Sequence, residues 1–138
     1  MDGKLFMADK VVLDSNIFVA AAFNRHSSSA RLVGLVRAGR LRMMWHTDTR
    51  EETRLQLEKI PPISWAPFAG LFEERNRVQG TLDVDAYSFV EDTDDRKFAA
   101  LAVKAEAPLV TNDRHLLSAA KRLPVRVMTA GEWARDEG

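Results

Sequence analysis

Acids dominate the chemistry this sequence could perform, and they recur in one setting. Asp14 interrupts the apolar run VVLDSNIFV at residues 11–19, and Asp113 ends a second run in PLVTNDRHLL. A buried, unpaired carboxylate costs several kcal/mol, so each must reach water or a partner. Glu51 and Glu52 in TREETRL, and Asp92, Asp94 and Asp95 in EDTDDRKF, stand where helical patterns begin. Carboxylates brought together hold hard cations such as Mg²⁺ or Mn²⁺ in preference to Zn²⁺, which favours Cys and clustered His. Metal held in that way serves phosphodiester hydrolysis by activating water and stabilising the leaving oxygen.

Each acid also has a plainer role. Asp14 and Asp113 are good N-caps for the helices that follow them. Thr49-Arg50-Glu51-Glu52 fits an S/T-x-x-E capping box, which would occupy Glu52 locally. Asp92, Asp94 and Asp95 suit the positive end of a helix dipole. What separates the two kinds of role is whether the fold gathers these positions. Two carboxylates about 5 Å apart repel by roughly 3 kcal/mol at an effective dielectric near 20, and four cost on the order of 10 kcal/mol. That is comparable with the stability of a whole domain. A gathered set must protonate, spread apart or hold a cation.

The elements that would gather them read as follows. Val11–Leu13 is a strand, followed by a helix over Ile17–Phe23. HSSSARLVGLVRAGR is a second helix with serine caps, a Leu32/Leu35/Val36 stripe and Gly39 as its stop. LRMMWH at 41–46 is a strand, and TDTREETRLQLEK is a helix that ends before Pro61–Pro62. SWAPFAGLFEERNRVQG is a further helix with Pro67 near its first turn, and TLDVDAYSFV is a short strand or an ordered loop. DTDDRKFAALAVKAEA is the clearest helix, with Phe98, Leu101, Ala102 and Ala105 on one face. APLVT, RHLLSAAKRL, VRVMT and AGEWARDE then alternate strand, helix, strand, helix. This order predicts an α/β/α sandwich of three layers around a mainly parallel sheet. Ligands of such sheets sit beyond the carboxyl ends of the strands, where Asp14 and Asp113 fall.

The bulk numbers bound the rest. The 138 residues suit one domain over 1–138, and 46% hydrophobic content is that of a soluble globular chain. The longest apolar stretch, IFVAAAF, is too short to span a bilayer, and MDGKLFMADK lacks the features of a secretory leader. With no cysteine, disulfides and thiolate metal sites are excluded, and a cytoplasmic location is expected. Twenty basic and twenty acidic residues cancel, so attraction to phosphate must come from local patches. His26, His46 and His115 are scattered and are expected at surface or edge positions, with His115 near enough to Asp113 to touch a substrate. Trp45, Trp65 and Trp133 are expected to pack rather than stack on bases. No Gly-rich phosphate loop or nucleophile elbow is present.

With these residues assembled, the chain resembles the PIN-domain family, metal-dependent ribonucleases that include the VapC-type toxins of bacterial toxin–antitoxin pairs. VVLDSNIFV resembles the family's first strand with D-[TS]-N, DTDDRKFAALA its third acidic motif, LVTNDRHLL its T-x-D motif, and VRVMTAGEWA its closing strand and helix. The resemblance implies metal ligation and catalysis by Asp14, Glu52, Asp95 and Asp113, with Asn16, Thr111 and Asp94 in support. Glu51 is the alternative to Glu52. The family register, an acid three before an apolar residue and seven before Ala, selects Asp95, while helix geometry leaves Asp94 open. The family sometimes carries a further acid where His115 stands here. The implied activity is endoribonuclease cleavage of RNA by water activated on Mg²⁺ or Mn²⁺, with a cognate antitoxin and a homodimer as implied partners. Arg50, Arg96 and Arg114 are candidates to contact the RNA backbone, against plain surface solvation. The competing expectation is a catalytically silent PIN-like scaffold that binds RNA or a protein. A phosphoacceptor receiver domain fits poorly, because it needs an acidic pair near the first strand and a Lys after the last.

Overall fold

Consecutive apolar residues in each strand run feed two helical layers at once. The computed structural model describes residues 9–137. Most of the segment read above as lacking a leader, and the final residue of the 1–138 span, lie outside the described residues. Strands β1 (Lys10–Leu13), β2 (Arg42–Met43), β3 (Leu109–Val110) and β4 (Val127–Met128) form one sheet in the order β2-β1-β3-β4, and every pairing is parallel. Val11 pairs with Met43, Leu13 with Val110, and Val110 with Met128.

Side chains of a strand alternate between faces. Val11 and Leu13 accordingly pack with Ile17, Phe18, Leu32 and Trp133. Val12 packs on the other face with Phe98, Leu101 and Leu116. The first face is covered mainly by α1 (Ser15–Phe23), α2 (Ser28–Arg37) and α7 (Ala130–Glu137), with Leu57 of α3 (Thr47–Glu58). The second is covered by α5 (Arg96–Ala105) and α6 (Arg114–Ser118). This is the three-layer α/β/α sandwich expected from the alternation of elements. Among the described residues, no helix is long and apolar enough to cross a membrane.

The strand order carries the functional consequence. β1 lies between β2 and β3, so the chain winds to one side of β1 and then crosses back to the other. At such a switch point the loops beyond adjacent strands part and leave a crevice. Asp14 follows β1 and Asp113 lies just beyond β3, on the two sides of that crevice.

Several elements are shorter than the sequence predicts. The strand expected over 41–46 is paired only at Arg42–Met43, with Trp45 bridging to Arg77. The helix expected over SWAPFAGLFEERNRVQG is a single turn, α4 (Ala66–Ala69), followed by a 3₁₀ turn at Glu74–Asn76. Gly70 closes α4, and the chain then has to run back beside Trp45, whose indole Nε1 donates to the Glu73 carbonyl at 2.7 Å. That long-range pairing overrides the local helical pattern. TLDVDAYSFV takes the loop alternative, with a 3₁₀ turn at Val84–Tyr87, and the helix after Asp113 breaks at Ser118. Gly39 does stop α2, with φ of +77°, a left-handed conformation that costs glycine little.

Candidate metal centre

Four helix starts meet at the crevice. Asp14 is the N-cap of α1, and its Oδ1 accepts from the Asn16 amide at 3.4 Å. Its Oδ2 accepts from the Thr111 hydroxyl at 2.5 Å. Asp113 caps α6 through the His115 amide at 2.7 Å, and Asp92 caps a 3₁₀ turn at Thr93–Asp95 through the Asp94 amide at 2.9 Å. The capping role expected for Asp14 and Asp113 is therefore present, but it occupies only one carboxylate oxygen of each.

Asp95 differs from these. It sits where α5 begins and makes no capping bond, and its Oδ2 is buried without any hydrogen-bond partner. Burial raises its pKa to about 8, with the charges of Asp14, Asp113 and Asp92 adding to the effect. Asp14 rises to about 6, mainly because burial disfavours its charge, although the Thr111 and backbone donors pull the other way. Both carboxyls hold their protons well above the usual carboxylate range, Asp95 through neutral pH, which answers the repulsion problem posed by the sequence: without a counter-ion, this group of acids resists full ionisation.

Glu52 enters the same cavity from α3. The capping box expected from Thr49 and Glu52 does not form. His46 is the N-cap instead: its Nδ1 accepts from the Asp48 amide, and the Thr49 hydroxyl accepts from the His46 amide, both at 3.0 Å. Glu52 lies a turn further in, where Lys97 Nζ of α5 approaches one oxygen at 3.2 Å and Gln56 Nε2 donates to the other at 2.9 Å. Glu51 faces outward and pairs with Arg54. The cavity, about 160 Å³, is lined by Asp14, Asn16, Glu52, Asp92, Asp95 and Asp113 among others, with exposed Asp94 at its edge.

The structure thus brings Asp14, Glu52, Asp95 and Asp113 into one polar cavity with Asn16 and Asp94. Thr111, fully buried, lies beneath and binds Asp14. The donor set is suited to a hard divalent cation, and the bare Asp95 oxygen supplies a ligand position that no protein group satisfies.

Some residues stand elsewhere than expected. His46 is 8% exposed rather than at the surface, with Nε2 against the Gly80 carbonyl at 2.7 Å. Arg96 donates to the Val90 and Ser88 carbonyls, and Arg50 stacks over Trp45, so both have structural work. Arg114 is exposed. Trp45 and Trp133 are buried and Trp65 packs against the core, as expected. Lys97 was not singled out from the sequence; its partner Glu52 is 45 residues away, and no local pattern marks such a pair.

The sequence profile of the PIN domain matches residues 10–115. The fold is similar to that of a chain in VapBC2 from Rickettsia felis, bound to a DNA fragment from their promoter. That match has a TM-score of 0.57 and 18% identity, and covers 87% of this chain and 98% of that one. A chain of FitAB bound to the IR36 DNA fragment is similar at the same TM-score of 0.57, with 15% identity and coverage of 87% and 94%. No curated protein matches the sequence.

Proposed function

The chain belongs to the PIN-domain family, and from that membership we propose that it is a divalent-metal-dependent endoribonuclease working at the cavity between β1 and β3. The observation that carries this reading is the unpartnered, buried Asp95 Oδ2 at the centre of acids that cannot all ionise unaided. Asp14, Asp95 and Asp113 would hold Mg²⁺ or Mn²⁺, with Glu52 at the rim. The bound cation would polarise the scissile phosphate and lower the pKa of water. The chain's own part is positional. The Thr111 hydroxyl donates to Asp14, the α6 start holds Asp113, and the Lys97–Glu52 pair ties α5 to α3. No side-chain nucleophile is required.

The two similar solved structures are VapBC2 and FitAB, both bound to DNA. On that footing we take this chain as the toxin of a toxin–antitoxin pair, with a cognate antitoxin as partner, a homodimer as its assembly and the cytoplasm as its place of action. The second reading, a silent scaffold, draws on Glu52, whose two oxygens are already occupied by Lys97 and Gln56.

Cleavage of a mixed RNA pool separates the two. The wild type should cut with Mn²⁺ or Mg²⁺ and stop with chelator. Asp95→Asn, nearly isosteric but without the charge, should be inactive while still folded. RNA binding without cleavage under every metal condition would favour the scaffold.

A further inference from the structure

Arg54, Arg75, Arg77, Arg126 and Lys97 each pair with a carboxylate. Arg114, Lys121 and Arg122 are exposed and meet no carboxylate among the described residues. All three follow Asp113 closely, on α6 and the 3₁₀ turn Ala120–Arg122. The Arg122 guanidinium lies instead over the Phe89 ring, 4.3 Å from its centroid. Phe89 is half-buried, meets Tyr87 edge to face at 6.0 Å and packs on the core of the second face. Its backbone is held as well, because Arg96 donates to the Ser88 and Val90 carbonyls on either side, at 3.0 and 2.8 Å.

This platform adjoins the metal centre. Asp92, shortly after Phe89 in the chain, lines the cavity, and Glu91 Oε1 lies 3.2 Å from His115 Nε2 of α6. The same imidazole has its Nδ1 3.8 Å from Asp113 Oδ1. The loop that carries Phe89 and the helix that leads to Arg122 therefore meet at the edge of the cavity.

We propose that Arg122, held on Phe89, is a stacking subsite for one unpaired base of the RNA, with Arg114 and Lys121 on the phosphates beside it. The inference rests on the ribonuclease reading and names its substrate class, single-stranded RNA rather than duplex.

Every unpaired base has a flat face that can stack on a guanidinium plane, whereas in a duplex that face is covered by its neighbours. Lysine is no substitute, because an ammonium is a point charge without a plane. A free arginine loses rotamer freedom when it binds, and Phe89 already restrains this one. Asp83, Asp85 and Glu91 are exposed in the segment that carries Phe89, so charge alone does not draw an anion there. Stacking has to decide.

The test is fluorescence anisotropy of the full chain with a labelled oligoadenylate, its duplex with oligouridylate, and an abasic strand of equal length, in chelator. We expect the wild type to bind the single strand more tightly than the duplex. Arg122→Lys keeps the charge and loses the plane, and should weaken single-strand binding roughly tenfold. It should leave the duplex and the abasic strand bound as before. Phe89→Leu keeps the core filled but frees the guanidinium, and should also weaken the single strand alone. Arg114→Gln and Lys121→Gln should weaken all three probes, each lowering the salt slope for the single strand by about 0.7. Thermal melts establish that each variant is folded. Arg122→Lys that binds every probe as the wild type does overturns this inference and leaves the Arg122–Phe89 pair to a protein contact or to solvent. A wild type that cuts RNA with Mn²⁺ but does not prefer the single strand in chelator overturns the subsite alone. RNA neither bound nor cut overturns both the subsite and the ribonuclease reading.

Discussion

The Thr111 hydroxyl donates to Asp14 Oδ2 at 2.5 Å, joining side chains 97 positions apart. The same hydroxyl oxygen accepts from the Asp113 amide at 2.9 Å. One small side chain therefore binds two acids that lie just beyond neighbouring strands. Thr111→Val keeps the shape and removes both bonds, facing Asp14 with a methyl group. Denaturant unfolding should show a loss of about 1–3 kcal/mol. Divalent-ion affinity should fall roughly 10–100-fold, the usual cost of losing a group that orients a ligand. Thr111→Ser should recover most of both.

Protonation and folding are linked through Asp14 and Asp95. Their pKa values rise from 3.8 to about 6 and about 8. A carboxyl with a raised folded-state pKa binds its proton more tightly when folded, so protonation favours the fold. That contribution is complete below the unfolded value and is lost as pH rises through the folded one. In chelator, stability should decline from about pH 4 to pH 8, with about 3 kcal/mol of the decline due to Asp14. Mg²⁺ or Mn²⁺ should offset the loss, because an ion that binds only the folded chain stabilises it by mass action. Melting curves across this range, with and without metal, check both statements, and a level profile in chelator would contradict the first.

How much of this was legible in the sequence depended on how local each cause was. Asp14 and Asp113 could be placed because strand, cap and helix follow one another within a few residues. Asp95 could be preferred to Asp94 only by the family register, and the reason now visible, a buried oxygen with no partner, is tertiary. The Thr49–Glu52 capping box looked sound by spacing but was displaced by His46, whose imidazole accepts as a cap and whose far nitrogen meets Gly80, 34 residues on. The helix expected over 64–80 failed for the same kind of reason, since pairing with Trp45 competes with a local pattern.

His46 yields its own prediction. His46→Ala removes the cap of α3 and the tether to the Gly80 loop together, and should cost about 1–2 kcal/mol in thermal or urea unfolding. His46→Asn restores the cap but cannot be expected to span both contacts, so it should recover only part of the loss. Full recovery would mean that the Gly80 contact contributes nothing.

Glu51 and Glu52 are adjacent in sequence, but the helix turns them to different tasks. Glu51→Gln disturbs only an exposed, solvent-screened pair with Arg54, so it should leave stability and RNA cleavage essentially as they were. Glu52→Gln removes a cavity carboxylate and should lower cleavage roughly 10–100-fold. Lys97 makes the sharper test, because it neutralises Glu52 from α5 where both side chains are largely buried. Lys97→Met leaves that charge uncompensated, so the metal-free protein should melt lower, as breaking such pairs generally requires. A divalent cation in the cavity would then be the nearest remaining counter-charge. Metal should therefore raise the melting temperature of Lys97→Met by more than that of the wild type. An equal rise in both would place Glu52 outside the reach of the bound ion and reduce the centre to the three aspartates.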